Sequence, residues 1–180
     1  MAGQSFSVCM YVMKAEGGTQ QYFLTMGERT TRGALQAYFF ASNQLRFGFY
    51  DPDVDTTSAY PSDVGVWVHW CFVFNSEGST FAIYRDGVAQ SFTTSGSASG
   101  TTSASGPLFL GVWKWSKGRK PFSGAMDEVR VFVHHALTQA ELPSLMADPT
   151  TDAPGLVLAL TFDAGAGDLG KDYSLSLIHI

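Results

Sequence analysis

Short apolar or alternating runs recur along the chain, each broken by Gly, Pro, Asn or Asp, and they predict strands. The first runs from Phe6 to Met13 and stops at Lys14-Ala15-Glu16-Gly17-Gly18. Gln21 to Met26, Ala34 to Ala41 and Gln44 to Tyr50 follow, the last two separated by Ser42-Asn43. A polar loop spans Asp51 to Asp63, and strands resume at Val66 to Phe74, Phe81 to Arg85 and Val88 to Phe92. Asp86-Gly87 between two of these runs is a hairpin signal, because a type I′ turn needs positive φ at both central residues. Residues 93–106 contain only Thr, Ser, Gly and Ala and read as a surface loop inside the domain. Further strands are predicted at Leu108 to Trp115, Ala125 to Val133 and Gly155 to Asp163. One short helix is predicted near 138–146, where Thr138-Gln139-Ala140-Glu141 forms a capping box and Pro143 keeps the helix to a turn or two. Many short strands at this spacing define an all-β antiparallel sandwich or jelly roll.

Composition narrows the partners. The chain has 180 residues, enough for one domain, and its 25 Phe, Tyr and Trp (14, 7 and 4) suit half-buried pleated surfaces. Eleven Lys and Arg against 16 Asp and Glu leave a formal charge of −5, so nucleic acid is an improbable partner. No apolar run approaches the ~18 residues of a membrane helix, so membrane insertion is not expected. Two cysteines exclude a disulfide-dense scaffold and Cys-rich zinc sites. Cys9 and Cys71 lie in separate strands; a bridge between them is open, and buried free thiols are the simpler expectation.

An ordered set of motifs then stands out. Gly65-x-Trp67-x-His69 opens a strand, Ile83-Tyr84-Arg85-Asp86-Gly87 makes a hairpin, and Leu110-Gly111 ends a run. Pro121-Phe122-Ser123-Gly124-Ala125-Met126-Asp127-Glu128-Val129-Arg130-Val131-Phe132 follows, then Ala136-Leu137-Thr138 and Glu141-Leu142. The succession resembles the laminin G-like domains of the concanavalin A-like lectin/glucanase superfamily, over roughly residues 6–142. It implies a concanavalin A-like jelly roll over 1–147 that lacks the family's usual first strand. Residues 148–154 then read as a linker. Residues 155–174, with Leu160-Thr161-Phe162-Asp163, either complete the sandwich or open a second repeat, and 175–180 fit no pattern. The resemblance also implies an extracellular or cell-surface setting, although the chain's start shows no signal peptide.

Candidate chemistry is sparse. Retaining glycoside hydrolysis needs two carboxyl groups ~5–5.5 Å apart, so on one strand they sit at i and i+2 or i+4. The five Glu stand at 16, 28, 77, 128 and 141, too far apart for such a pair, and adjacent Asp127 and Glu128 face opposite sides. The chain therefore reads as no enzyme. Strict alternation on that strand groups Met126, Glu128, Arg130 and Phe132 on one face, where a carboxylate would pair with an Arg. Asp51, Asp53 and Asp55 are a candidate calcium site, although Thr56 and Ser62 stand where a calcium loop has Gly and Glu, and a solvated acidic loop is the simpler account.

The main candidate binding set is Trp113, Lys114, Trp115, Lys117 and Arg119. Two aromatics beside a basic run can stack on sugars or anchor a protein; a core Trp beside a solvated basic run is the simpler account. The expectation is a non-catalytic module of a larger protein that binds a glycan, or alternatively a structural or protein-adhesion module whose partner is an extracellular protein.

Overall fold

The computed structural model describes residues 3–96, 104–113, 115, 120–148 and 153–162. Within them, two six-stranded antiparallel sheets face each other. One is ordered β12-β11-β1-β6-β7-β8 and contains β1 (Phe6–Lys14), β6 (Val68–Asn75), β7 (Thr80–Arg85), β8 (Val88–Ala89), β11 (Gly124–Val133) and β12 (Leu156–Leu160). The other is ordered β10-β2-β3-β4-β5-β9, with β2 (Gln21–Gly27), β3 (Ala34–Phe39), β4 (Leu45–Gly48), β5 (Asp53–Thr56), β9 (Phe92–Ser95) and β10 (Leu108–Leu110). This is the all-β sandwich the strand spacing predicts.

Alternation builds the core. Phe6, Val8, Met10 and Val12 of β1 face Leu35, Ala37 and Phe39 of β3 and Leu45 and Phe47 of β4 across the interlayer, all at most 2% exposed. Phe6 meets Phe47 and Phe49 edge-on at 6.3 and 5.8 Å, the arrangement that opposes negative ring faces to positive edges. Each such buried ring contributes roughly 1.5–3 kcal/mol of transfer free energy.

The structure corrects several boundaries. The polar loop expected over 51–63 contains β5, which pairs with β4 and β9 although only Val54 of its residues joins the core. The single run expected at 88–92 is two strands: β8 closes the first sheet and β9, two residues later, joins the second. β10 stops at Leu110, so Trp113 and Trp115 lie beyond it. Strict alternation also fails on β11. Cys9 pairs with Arg130 but Tyr11 with Asp127, so a bulge at Glu128 (φ 51°) shifts the phase and puts Met126 against the core beside Val129. Glu128 and Arg130 do pair, at 2.6 Å. The helix α1 (Leu142–Ala147) starts later than expected; the Glu141 carboxylate accepts the Thr138 N–H at 2.7 Å in the turn before it.

Cys9 and Cys71 face each other across β1 and β6 and are bridged, with Cα atoms 4.0 Å apart. The expectation of free thiols is thereby overturned: both residues point away from the interlayer core into a second cluster, where Leu137, Leu142 and Leu145 cover them. β12 pairs antiparallel with β11 at the edge of the same sheet.

On this outer face His69 is 1% exposed and its Nδ1 has no partner among the described residues. Burial, helped by the Arg130 guanidinium, pushes its pKa down to about 4. Tyr11, ring to ring at 5.0 Å, stands beside it, and Asp86 receives its backbone N–H at 2.9 Å. The folded state thus holds a neutral imidazole that the unfolded chain protonates near pH 6.5, so stability is complete above that pH and falls as pH drops toward 4. The expected loss from this group is roughly 3 kcal/mol. Urea unfolding of the His69→Phe variant between pH 7 and 4.5 checks it; a slope as steep as that of the parent protein refutes the assignment.

Candidate functional site

The outward side of the second sheet carries the other half of the alternation. Where Leu35, Ala37 and Phe39 point in, Gln36 and Tyr38 point out; Arg46 on β4 and Asp53 and Asp55 on β5 join them, and Tyr22 arrives from β2. A register shift between Tyr22 and Leu24 lets Phe23 and Leu24 both face the core while Tyr22 stays outside. Tyr22, Gln36, Tyr38, Arg46 and Asp53, together with Arg29, Tyr50, Trp113 and Lys120, line a cleft of about 470 Å³, within the ~300–1,000 Å³ range of small-ligand sites.

The cleft has an aromatic wall. Tyr22 stacks on Tyr38 with centroids 4.2 Å apart and tilts against Trp113 at 4.3 Å; Trp115 meets Trp113 edge-on at 4.7 Å. Trp113 is only 7% exposed, so most of its surface is structural. Trp115 is half-buried, and its indole N–H donates to the Gly27 carbonyl at 3.2 Å, which props Trp113 in place. Gly27 (φ +81°) permits this turn, since a Cβ there would run into the Gly33 carbonyl. Burial raises the pKa of the Tyr22 and Tyr38 hydroxyls above the usual tyrosine value, so both stay neutral.

Arg46 organises the polar floor. Its Nε and Nη2 donate to the two Asp55 oxygens at 2.6 and 2.7 Å, and its Nη1 to Asp53 at 3.3 Å. Asp53 also accepts Gln36 Nε2 at 3.2 Å on each oxygen and the Tyr50 N–H at 3.0 Å. Burial raises the Asp53 pKa, opposed by Gln36, Arg46 and that N–H. Gly48 lets the carboxylate in, because a Cβ there would overlap Asp53 itself. Tyr50 (φ 67°) and Asp51 (φ 127°) turn the chain back between β4 and β5. Arg29 reaches over from the loop after β2, donating to the Tyr50 hydroxyl at 3.1 Å, with its guanidinium 5.7 Å from the Trp113 ring centroid. Lys120 Nζ donates to Gln20 Oε1.

Of the expected binding set, Trp113 and Trp115 come together at this cleft, whereas Lys114, Lys117 and Arg119 lie outside the described residues. The acidic set does not fit calcium. Arg46 sits where a cation would sit between Asp53 and Asp55, Asp51 turns toward Gly96, and no group of three His, Cys, Asp or Glu among the described residues can hold a metal ion. Sequence reasoning missed Tyr22, Gln36, Tyr38, Arg46 and Arg29. The available signal was the outward half of β3 and β4, where Gln36, Tyr38 and Arg46 interrupt apolar neighbours.

A jelly-roll sandwich with an open aromatic and charged cleft on one sheet is the class defined by this geometry. The chain belongs to the concanavalin A-like lectin/glucanases superfamily, whose laminin G-like family model matches residues 1–142. Among solved structures, a candidate carbohydrate-binding protein from Bacteroides ovatus is similar at TM-score 0.73 and 19% identity, over 96% of this chain and 50% of that one. The CBM40 of Ruminococcus gnavus IT-sialidase, solved with α2,3-sialyllactose, reaches 0.59 at 14% identity, covering 79% of this chain and 82% of that one. Domains LG4-5 of mouse laminin alpha1 reach 0.58 at 10% identity, covering 76% and 39%. The chain thus spans half the length of the Bacteroides protein, and at these identities the likeness is one of fold. No curated protein matches the chain. Among the described residues no helix is long and apolar enough to cross a membrane.

Proposed function

We propose that this chain is a non-catalytic carbohydrate-binding module of a larger extracellular or cell-surface protein, with the cleft on the second sheet as its sugar site. The observation that carries the reading is the Tyr22–Tyr38–Trp113 wall standing beside the hydrogen-bonding floor of Gln36, Arg46 and Asp53. Aromatic ring faces take the C–H groups of a pyranose, and fixed polar groups select its hydroxyls. The similar folds of the Bacteroides protein and the sialidase CBM40 support it. The Cys9–Cys71 bridge supports an oxidising compartment such as the cell exterior. Among the described residues lining the cleft Asp53 is the only carboxylate, which supports binding over retaining hydrolysis.

A protein-adhesion role is favoured by a different observation, the exposed Val64, Val66 and Trp67 ahead of β6. Intrinsic Trp fluorescence titrated with neutral and charged oligosaccharides separates the two. A saturable change that a Trp113→Phe variant of unaltered Tm loses establishes the cleft; a flat response across the panel in folded protein moves the function to adhesion.

A further inference from the structure

We infer that the cleft selects a sugar carrying a negative group, a carboxylate or a sulfate ester, and that Arg29 and Lys120 are its anion seat; this rests on the carbohydrate reading of the cleft. The argument is an accounting of cations. Arg46 is held by Asp53 and Asp55, Arg85 by Asp63 and Asp86, and Arg130 by Glu128. Lys14 is buried and donates to the Tyr60 carbonyl at 2.9 Å. Arg32 is likewise engaged. Arg29 and Lys120 differ: both are exposed, and among the described residues their hydrogen bonds go to neutral groups, the Tyr50 hydroxyl and the Gln20 amide oxygen. Both line the same cleft, on a chain whose formal charge is −5.

Among the described residues the lining holds three cations, Arg29, Arg46 and Lys120, and of these Arg46 is taken by Asp53 and by Asp55 beside the cleft. The Asp53 carboxylate is already satisfied by Gln36, Arg46 and the Tyr50 N–H, so among the described residues no carboxylate pairs with Arg29 or Lys120. Among the described residues Arg29 donates through its Nε alone, so its two terminal nitrogens face the paired hydrogen bonds a guanidinium makes to a carboxylate or sulfate. The ring contacts with Tyr50 and Trp113, 5.2 and 5.7 Å from its carbon, hold the guanidinium beside the aromatic wall where a sugar ring would lie. Lys120 adds a point charge from the chain leading into β11.

The test titrates the full chain by calorimetry with two matched pairs: oligogalacturonate against its methyl ester, and a sulfated galactan oligosaccharide against its desulfated form. At least one charged form is expected to bind about tenfold tighter than its neutral partner, and the pair that responds tells carboxylate from sulfate. In Arg29→Gln/Lys120→Gln that advantage is expected to vanish, so that the charged and neutral forms of each pair bind alike, while Tm stays unchanged. Equal affinity within both pairs overturns the inference and leaves the carbohydrate reading standing, as does a charged preference that survives the double substitution. Binding of none of the four, with Trp fluorescence flat across the wider panel, overturns both.

Discussion

Replacing Cys9 and Cys71 together by Ala is expected to lower the unfolding free energy by about 4 kcal/mol, the loop-closure value for a bridge spanning 62 residues. Among the described residues the bond ties β1 to β6 in the middle of the first sheet, and Leu137, Leu142 and Leu145 bury it beneath α1 and the segment before it. Reductant therefore acts on the unfolded chain more readily than on the folded one, and unfolding free energies from urea titrations with and without dithiothreitol should differ by a similar amount. The cleft lies on the opposite sheet, so sugar affinity measured below the variant's melting range should not change. A midpoint that moves by less than the experimental scatter would show that the cross-link contributes nothing.

Arg46→Met is expected to cost about 3–5 kcal/mol and to remove sugar binding. The substitution keeps most of the aliphatic stem but strips two carboxylates of their partner. Asp55 is about a quarter exposed and can turn to water, whereas the Asp53 side chain is only 7% exposed and would stay buried with its charge. Its pKa, already raised by burial, would rise further. The sign of the resulting pH dependence follows. A carboxyl whose folded pKa exceeds its unfolded value binds more protons in the folded state, so lowering the pH stabilises that state. The deficit of Arg46→Met should therefore be largest near pH 8 and shrink as pH falls toward the ordinary carboxylate range. Adding Asp53→Asn should restore much of the loss at neutral pH. A deficit that does not vary with pH would mean that Arg46 acts through packing on Tyr38 and Phe40 instead.

The elements that were legible in the sequence are those whose buried face is wide. β1, β2, β3, β6 and β11 each place several large apolar side chains in the core, and their periodicity locates them to within a residue or two. β5 was not legible because Val54 is its one core-facing residue, and the Asp and Thr around it read as loop. The phase of β11 was lost at a bulge, which leaves no mark in composition when the bulged residue is Glu. The disulfide depended on a register, Cys9 opposite Cys71, that pairing decides and spacing does not. Trp113 and Trp115 were visible as an aromatic pair beside basic residues. Their partners Tyr22 and Tyr38 were not, because an outward Tyr inside an apolar strand is indistinguishable from a core residue until the sheet is assembled. Arg29 is the furthest case, since it reaches the cleft from a loop whose sequence, Glu28-Arg29-Thr30-Thr31-Arg32, has only polar character.

The placement of the first and last described strands has a practical consequence. β1 and β12 both belong to the sheet that does not carry the cleft. A biotin, a resin or a neighbouring domain attached through either strand would hold the molecule by its back, with the cleft turned toward the medium. Glycan arrays and surface plasmon resonance with end-tethered protein are then direct assays of the cleft, and coupling through surface lysines is the format to avoid, because it would consume Lys120.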